Sequence, residues 1–308
     1  MPPMQYWYWW VFGGLVSVLL VLDLCVFHRH ARQESLRRSL LWSAFWVAVG
    51  LSFTALVWVV RGHDGAMAYV TAYLIEKSLS VDNLFVFLAL FGYFAVAPAN
   101  QHRVLFWGIL GAIITRGLFI FGGVALLTHF HWLIYPLGAV LIFTGARLAF
   151  GGDTEVHPEK NPIIRFASRV LPFTREYHGE AFAVIGDQGL RFTPLVLVLI
   201  AIETTDIVFA VDSVPAALAV SRDAFVIFTS NIFAILGLRA LYFVLAGTVL
   251  TLRFLRHALA IILVLIGVKM ILARWVEVPT SASLIGVATI LGGAIGLSLL
   301  LPGKRGDP

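Results

Sequence analysis

Read from its first residues, the chain alternates between long apolar runs and short polar breaks. About 20 apolar residues are needed to cross a bilayer core of roughly 30 Å. On that measure nine spans are expected: Trp7 to Phe27, Leu40 to Val60, Met67 to Val96, Val104 to Thr128, Trp132 to Phe150, Pro194 to Val220, Phe225 to Leu250, Ala258 to Ala273 and Ser281 to Leu301. The expected fold is therefore all-α, a single polytopic membrane domain over residues 1–308. The breaks are short except between Gly151 and Thr193, where prolines 158, 162 and 172 and mixed charges predict a polar inter-span loop with a short surface helix near Ile163 to Val170.

Composition agrees with this pattern and removes alternatives. Of 308 residues 60% are hydrophobic and 13% charged, against roughly half and a quarter in soluble domains, and the mean hydropathy is +0.91. Too few polar residues remain to coat a soluble particle. The net charge of +5 is therefore no sign of nucleic-acid binding. Its distribution is informative instead. Fourteen Lys and Arg fall in one alternating set of gaps (Arg29, Arg32, Arg37, Arg38 and Arg103, the long loop, Arg253, Arg256, Lys304, Arg305) and three in the other (Arg61, Arg222, Arg274). Cytoplasmic loops carry the excess of Lys and Arg, so an external N-terminus and a cytoplasmic C-terminus are expected. A secretory signal peptide is a weaker reading of the first span, because no basic segment precedes it.

An internal repeat underlies the spans. Ser80-Val81-Asp82-Asn83-Leu84-Phe85 aligns with Thr204-Thr205-Asp206-Ile207-Val208-Phe209. Thr115-Arg116-Gly117 aligns with Leu238-Arg239-Ala240, and Gly145-Ala146-Arg147 with Gly267-Val268-Lys269. Repeat one covers about 67–150 and repeat two about 194–273. Each holds three spans, so the copies have opposite topology. Such inverted repeats are a transporter plan, with the site at the membrane midplane between them.

The charged minority then outlines a site. Inside the spans lie the acids Asp23, Glu76, Asp82, Glu203, Asp206 and Asp212 and the bases Lys77, Arg116, Arg147, Arg239 and Lys269. Each charge at a helix centre costs about 3 kcal/mol on insertion scales, so these groups pair, line water, hold an ion or take protons. Asp23, Arg147 and Lys269 lie near span ends, where snorkelling to the interface is the default. Glu76, Ser80 and Asn83 share one helix face, as do Glu203 and Asp206, while Asp82 falls about 120° off the Glu76 face. Pro215 removes a backbone donor beside Asp212 and Ser213, so a kink is expected there. Pairing of acids with Arg116 and Arg239 is one account, but five central acids face three central bases, a surplus of two charges that suits a divalent cation or two protons. The donors are carboxylates, amides (Asn83, Asn231) and hydroxyls. All nine histidines (for example His102 and His129) sit in or beside breaks, and Cys25 is the single cysteine. Oxygen donors suit Mg²⁺, Ca²⁺ and Mn²⁺ over soft metals.

Glu76-Lys77-Ser78-Leu79-Ser80-Val81-Asp82-Asn83-Leu84-Phe85, Glu203-Thr204-Thr205-Asp206 through Pro215, Thr229-Ser230-Asn231 through Arg239, and Gln101-His102-Arg103 through Ile109 together resemble the signature of the TerC/Alx integral membrane family. The resemblance runs from about Asp23 to Leu300. It implies a bacterial inner-membrane protein linked to manganese export, tellurite resistance and alkaline stress, with Glu76, Asp82, Asn83, Glu203, Asp206 and Asp212 as ion ligands. Lys77, Ser80, Arg116, Asn231 and Arg239 are the expected supporting partners. The expectation is thus a Mn²⁺ exporter coupled to protons, with no prosthetic group and no enzymatic activity, since no Walker A, His-Glu-x-x-His or Gly-x-Ser-x-Gly motif occurs. The rival expectation is a membrane anchor for soluble stress-response partners, acting through the long loop.

Overall fold

The computed structural model describes residues 6–28, 36–150, 161–174, 176–186, 189–247, 254–273, 275–276 and 278–300; the side chains at 24–28, 36, 82 and 299 lie outside that description. So do several orienting charges, Arg29, Arg32, Lys160, Arg175, Arg253, Arg274, Lys304 and Arg305. The helices are α1 (Trp7–His28), α2 (Leu36–Ser52), α3 (Thr54–Tyr93), α4 (Pro98–His129), α5 (Ile134–Phe150), α6 (Pro162–Val170), α7 (Pro194–Val220), α8 (Ala224–Leu236), α9 (Leu238–Gly247), α10 (Leu255–Leu272) and α11 (Thr280–Leu300). Among the described residues seven helical stretches are long and apolar enough to cross a membrane, and Trp7–Asp23 is a shorter apolar helix. Large apolar side chains such as Trp10, Leu118, Phe143, Val208 and Ile285 are exposed on the outside, as lipid contact requires.

The stretch Arg37–Tyr93 is 57 residues long, about 85 Å if straight, far beyond one bilayer. It reverses. Tyr69 Oη donates to the Gly50 carbonyl at 2.8 Å, and the Tyr73 ring lies over Gly50. In a continuous helix Gly50 and Tyr69 would be about 28 Å apart. The turn is made at Gly62, whose φ of 71° and ψ of −169° are open only to glycine. The expected spans Leu40–Val60 and Met67–Val96 thus occupy two arms of one bent helical stretch. The Phe225–Leu250 span is interrupted at Gly237, between α8 and α9, and its last three residues lie outside the description. Pro215, where a kink is expected, lies inside α7, which continues to Val220.

Around this frame, α3 packs on α8 and α7, and α4 packs on α7 and α8. The closest helix pair is α5 with α10. They run antiparallel and touch through backbone: a Cβ at Gly138 would lie 2.9 Å from the Gly267 carbonyl oxygen, and one at Gly145 would lie 2.8 Å from the Ala260 carbonyl oxygen. Small residues let backbones approach this way inside membranes.

The long loop is more ordered than a polar linker. It contains α6, where the sequence places a surface helix, and a two-stranded antiparallel hairpin, β1 (Ala183–Gly186) with β2 (Gly189–Phe192). These strands are the non-helical exception to the all-α expectation. Asn161 caps α6 through Ile163 and Ile164, and its amide also donates to Thr204 Oγ1 of α7 at 2.9 Å. Tyr177 Oη donates to the Phe94 carbonyl at 2.6 Å. Burial pushes the Tyr177 phenol above its ordinary value, so it stays a donor at physiological pH. Asn161→Ala removes both the cap and the Thr204 bond. It is expected to cost about 1 kcal/mol locally, read as faster amide exchange in 162–170 with the global melting temperature nearly unchanged.

Candidate ion site at Arg116

Arg116, in the middle of α4, is fully buried. Its guanidinium is held by three other helices. Nη1 donates to Glu76 of α3, to Ser213 Oγ of α7 at 3.0 Å and to Asn231 Oδ1 of α8 at 3.3 Å. Nη2 donates to Asp206 Oδ1 of α7 at 2.9 Å. Both carboxylates form ion pairs with it. Helical spacing explains the convergence: Asp206 and Ser213 are seven residues apart on one face of α7, and Glu76, Ser80 and Asn83 share the buried face of α3.

Valences remain open at this centre. Asp206 Oδ2, Ser80 Oγ, Asn231 Nδ2 and Arg116 Nε are buried with no hydrogen-bond partner among the described residues. A cavity of ≈ 20 Å³ borders Asp206, with Gly108, Ala112 and Ile202 in its wall, room for about one water-sized body. Glu203, one turn before Asp206, makes no ion pair or hydrogen bond among the described residues. Its carboxylate rests on bare α4 backbone, where a Cβ at Gly111 would overlap it.

The other expected site residues are placed differently. Asp212 accepts from Thr144 Oγ1 of α5 at 2.8 Å. Lys77 Nζ donates to the Ala234 carbonyl at 3.1 Å and sits against Gly237, where a Cβ would be 2.7 Å from it. Its charge therefore meets the negative end of α8 at the break, where a cation is favoured. Asp82 lies in α3, with its side chain outside the description. Among the described residues no three His, Cys, Asp or Glu side chains converge to hold a metal.

One expectation needs correction. Asp23 does not snorkel: it is buried and pairs with Arg239 at 3.3 Å, whose Nη2 also donates to the Asp23 carbonyl at 2.9 Å. Arg239 thereby ties α9 to α1. A buried cation left without a counter-charge is costly, so Asp23 takes the pair in place of water. Lys269, in the last turn of α10, donates to Ser283 Oγ at 2.7 Å, and Arg147 is exposed. Sequence reading missed Ser213, Thr144, Gly111 and Gly237; Ser213 was findable from its seven-residue spacing to Asp206, the others only from packing.

A polytopic helical membrane protein with a buried arginine bridging carboxylates from both halves of the chain is the class this defines. The chain belongs to the TerC family of integral membrane proteins, whose family model matches residues 61–303. It is 45% identical to an uncharacterized membrane protein of Myxococcus xanthus, over 95% of this chain and 92% of that protein. It is 43% identical to a Salmonella typhi protein described provisionally as the membrane-bound redox modulator Alx, covering 92% of this chain and 91% of that one. The Escherichia coli K12 protein of the same description is 42% identical, over 90% and 89%. No solved structure matches the chain.

Proposed function

We propose that this protein is a secondary transporter exporting a hard divalent cation, Mn²⁺ foremost, across the bacterial inner membrane in exchange for protons. The observation that carries the reading is Arg116. A fully buried guanidinium pairs with both Glu76 and Asp206 and leaves a carboxylate oxygen, a hydroxyl and a small cavity beside it. With no ion bound, Arg116 would keep the acidic centre from standing empty and negative. An arriving cation would be met by Glu203, which has no partner to give up, then by Asp206 as Arg116 yields. The site residues are Glu76, Asp82, Asn83, Glu203, Asp206 and Asp212, all oxygen or amide donors. Carboxylates in low dielectric exchange protons for metal, which supplies the coupling.

Alternating access would come from nine crossings arranged as inverted repeats. The α5–α10 contact supports this reading. With the 122-residue offset between Gly145 and Gly267, the contact of Gly138 with Gly267 maps onto that of Ala260 with Gly145. Likewise Ile142 against Gly267 maps onto Val264 against Gly145. A helix pair whose contacts exchange onto themselves while running antiparallel has a two-fold axis perpendicular to both helices. That axis lies in the membrane plane. The packing of α3 on α8 and of α4 on α7 exchanges in the same way. The orientation proposed is N-terminus external and C-terminus cytoplasmic.

The test is reconstitution in liposomes, with Mn²⁺, Ca²⁺ and Mg²⁺ flux followed across an imposed pH gradient. Mn²⁺ flux driven by the gradient is expected, and Glu203→Gln should slow it at least tenfold, about 1.4 kcal/mol, without lowering the melting temperature. No flux of any of the three ions would end the transport reading. The second reading is an anchor for a soluble partner, favoured by the exposed Ile185 and Leu190 of the hairpin and Phe166 of α6. Deleting 162–192 should then abolish the phenotype while sparing the transmembrane fold. The redox role in the relatives' description would be indirect here, because one cysteine gives no intrachain dithiol couple.

A further inference from the structure

Away from the Arg116 centre, the outer surface opens into a trough between α10 and α11. Its volume is ≈ 270 Å³, space that water-sized groups of about 30 Å³ would fill roughly nine times. The walls are aliphatic, with Ile262, Leu265, Leu272 and Ile290 among them. Gly286 lies in the lining, and a Cβ there would meet nothing within 4 Å. Leu265, Leu272 and Ile285 on these helices are exposed, so the trough faces the lipid.

Its polarity is confined to one end. Lys269 and Ser283 line it, Lys269 in the last turn of α10 and Ser283 in the first turn of α11. The Lys269 ammonium donates to Ser283 Oγ at 2.7 Å. An ammonium has three donors, and no carboxylate among the described residues pairs with it. Trp275, just past the end of α10, is 68% exposed, as a side chain at the membrane interface would be. The trough therefore runs from an interfacial cation into the hydrocarbon layer.

We propose that it binds one anionic phospholipid, with an acyl chain along Gly286 and the phosphate against Lys269. An aqueous solute has no reason to enter an aliphatic wall, and a zwitterionic lipid brings no net charge to match the ammonium. An interfacial lysine is worth about 1 kcal/mol toward an anionic lipid, close to a fivefold preference. This site is independent of ion transport and does not depend on that reading.

The test is native mass spectrometry of the full chain in detergent, titrated with equal phosphatidylglycerol and phosphatidylcholine of identical acyl chains. The expected result is one retained phosphatidylglycerol, preferred about fivefold. Lys269→Met should abolish the preference and Lys269→Arg should keep it. Gly286→Leu should remove the bound lipid altogether. That change meets open space and improves helix propensity, so it leaves the fold intact even if Lys269→Met does not. Equal retention of both lipids by the unaltered protein, a preference that survives Lys269→Met, or a dimer that Gly286→Leu converts to monomer in place of a lipid adduct would overturn the assignment.

Discussion

Arg116→Met is expected to be the most damaging single substitution in the protein, lowering stability by about 3–5 kcal/mol. The guanidinium is fully buried and is shared by Glu76 and Asp206. Removing it leaves two carboxylates facing each other in low dielectric with no cation, which costs far more than the pair contributed when intact. Thermal melting of the purified protein in detergent should show a fall of many degrees, and membrane yield should drop with it. Arg116→Lys should be intermediate: the charge is kept, but one ammonium cannot present the separate Nη1 and Nη2 donors that reach Glu76 and Asp206. The triple change with Glu76→Gln and Asp206→Asn should recover most of the loss, because the desolvated charges are then gone. A melting temperature for Arg116→Met within a degree or two of the parent protein would sink this account of the site.

The second large effect is expected at the α5–α10 contact. A Cβ at Gly267 would lie 2.7 Å from the Gly138 carbonyl oxygen and 2.8 Å from Ile142 Cγ1. At Gly145 the corresponding distances are 2.8 Å to the Ala260 carbonyl oxygen and 2.8 Å to Val264 Cγ2. Backbone cannot step aside as a side-chain tip can, so Gly267→Leu must pry the helices apart, at a cost of about 3 kcal/mol. Gly145→Leu should cost nearly the same, since the two glycines occupy exchanged places in one contact. The double variant should cost less than the sum, because the helices separate once. Gly292→Ala on α11, where a Cβ meets nothing within 4 Å, is the matched control and should be neutral or stabilising. Unequal losses at Gly145 and Gly267, by more than about twofold, would count against the proposed two-fold relation between the halves.

How far each feature could be read from the chain depended on how local its cause is. Helix positions follow from runs of apolar residues, and α7 begins and ends where the sequence places it, at Pro194 and Val220. The buried face of Glu76, Ser80 and Asn83 follows from helical periodicity alone. The break at Gly237 did not, because a lone glycine in an apolar run is common. What makes it a break is Lys77 and Trp46 crowding the place where a Cβ would be, and both come from other helices. Asp23 was misjudged for the same reason. Its position near a span end is a local fact, while its partner Arg239 is 216 residues away.

The sequence by itself determined that the chain is a multi-pass membrane protein, where its long apolar runs lie, and that its oxygen-bearing charges sit within those runs. These are one-dimensional properties, set by the length of apolar runs and the period of a helix. Only the tertiary structure decided how the charges are shared. It set Arg239 beside Asp23, Lys77 at the end of α8, Asp212 beside Thr144, and Arg116 between Glu76 and Asp206. The physical reason is that a buried charge takes whichever partner the packing brings within about 3 Å. That packing is fixed by close glycine contacts such as Gly138 with Gly267, which leave no trace in hydropathy.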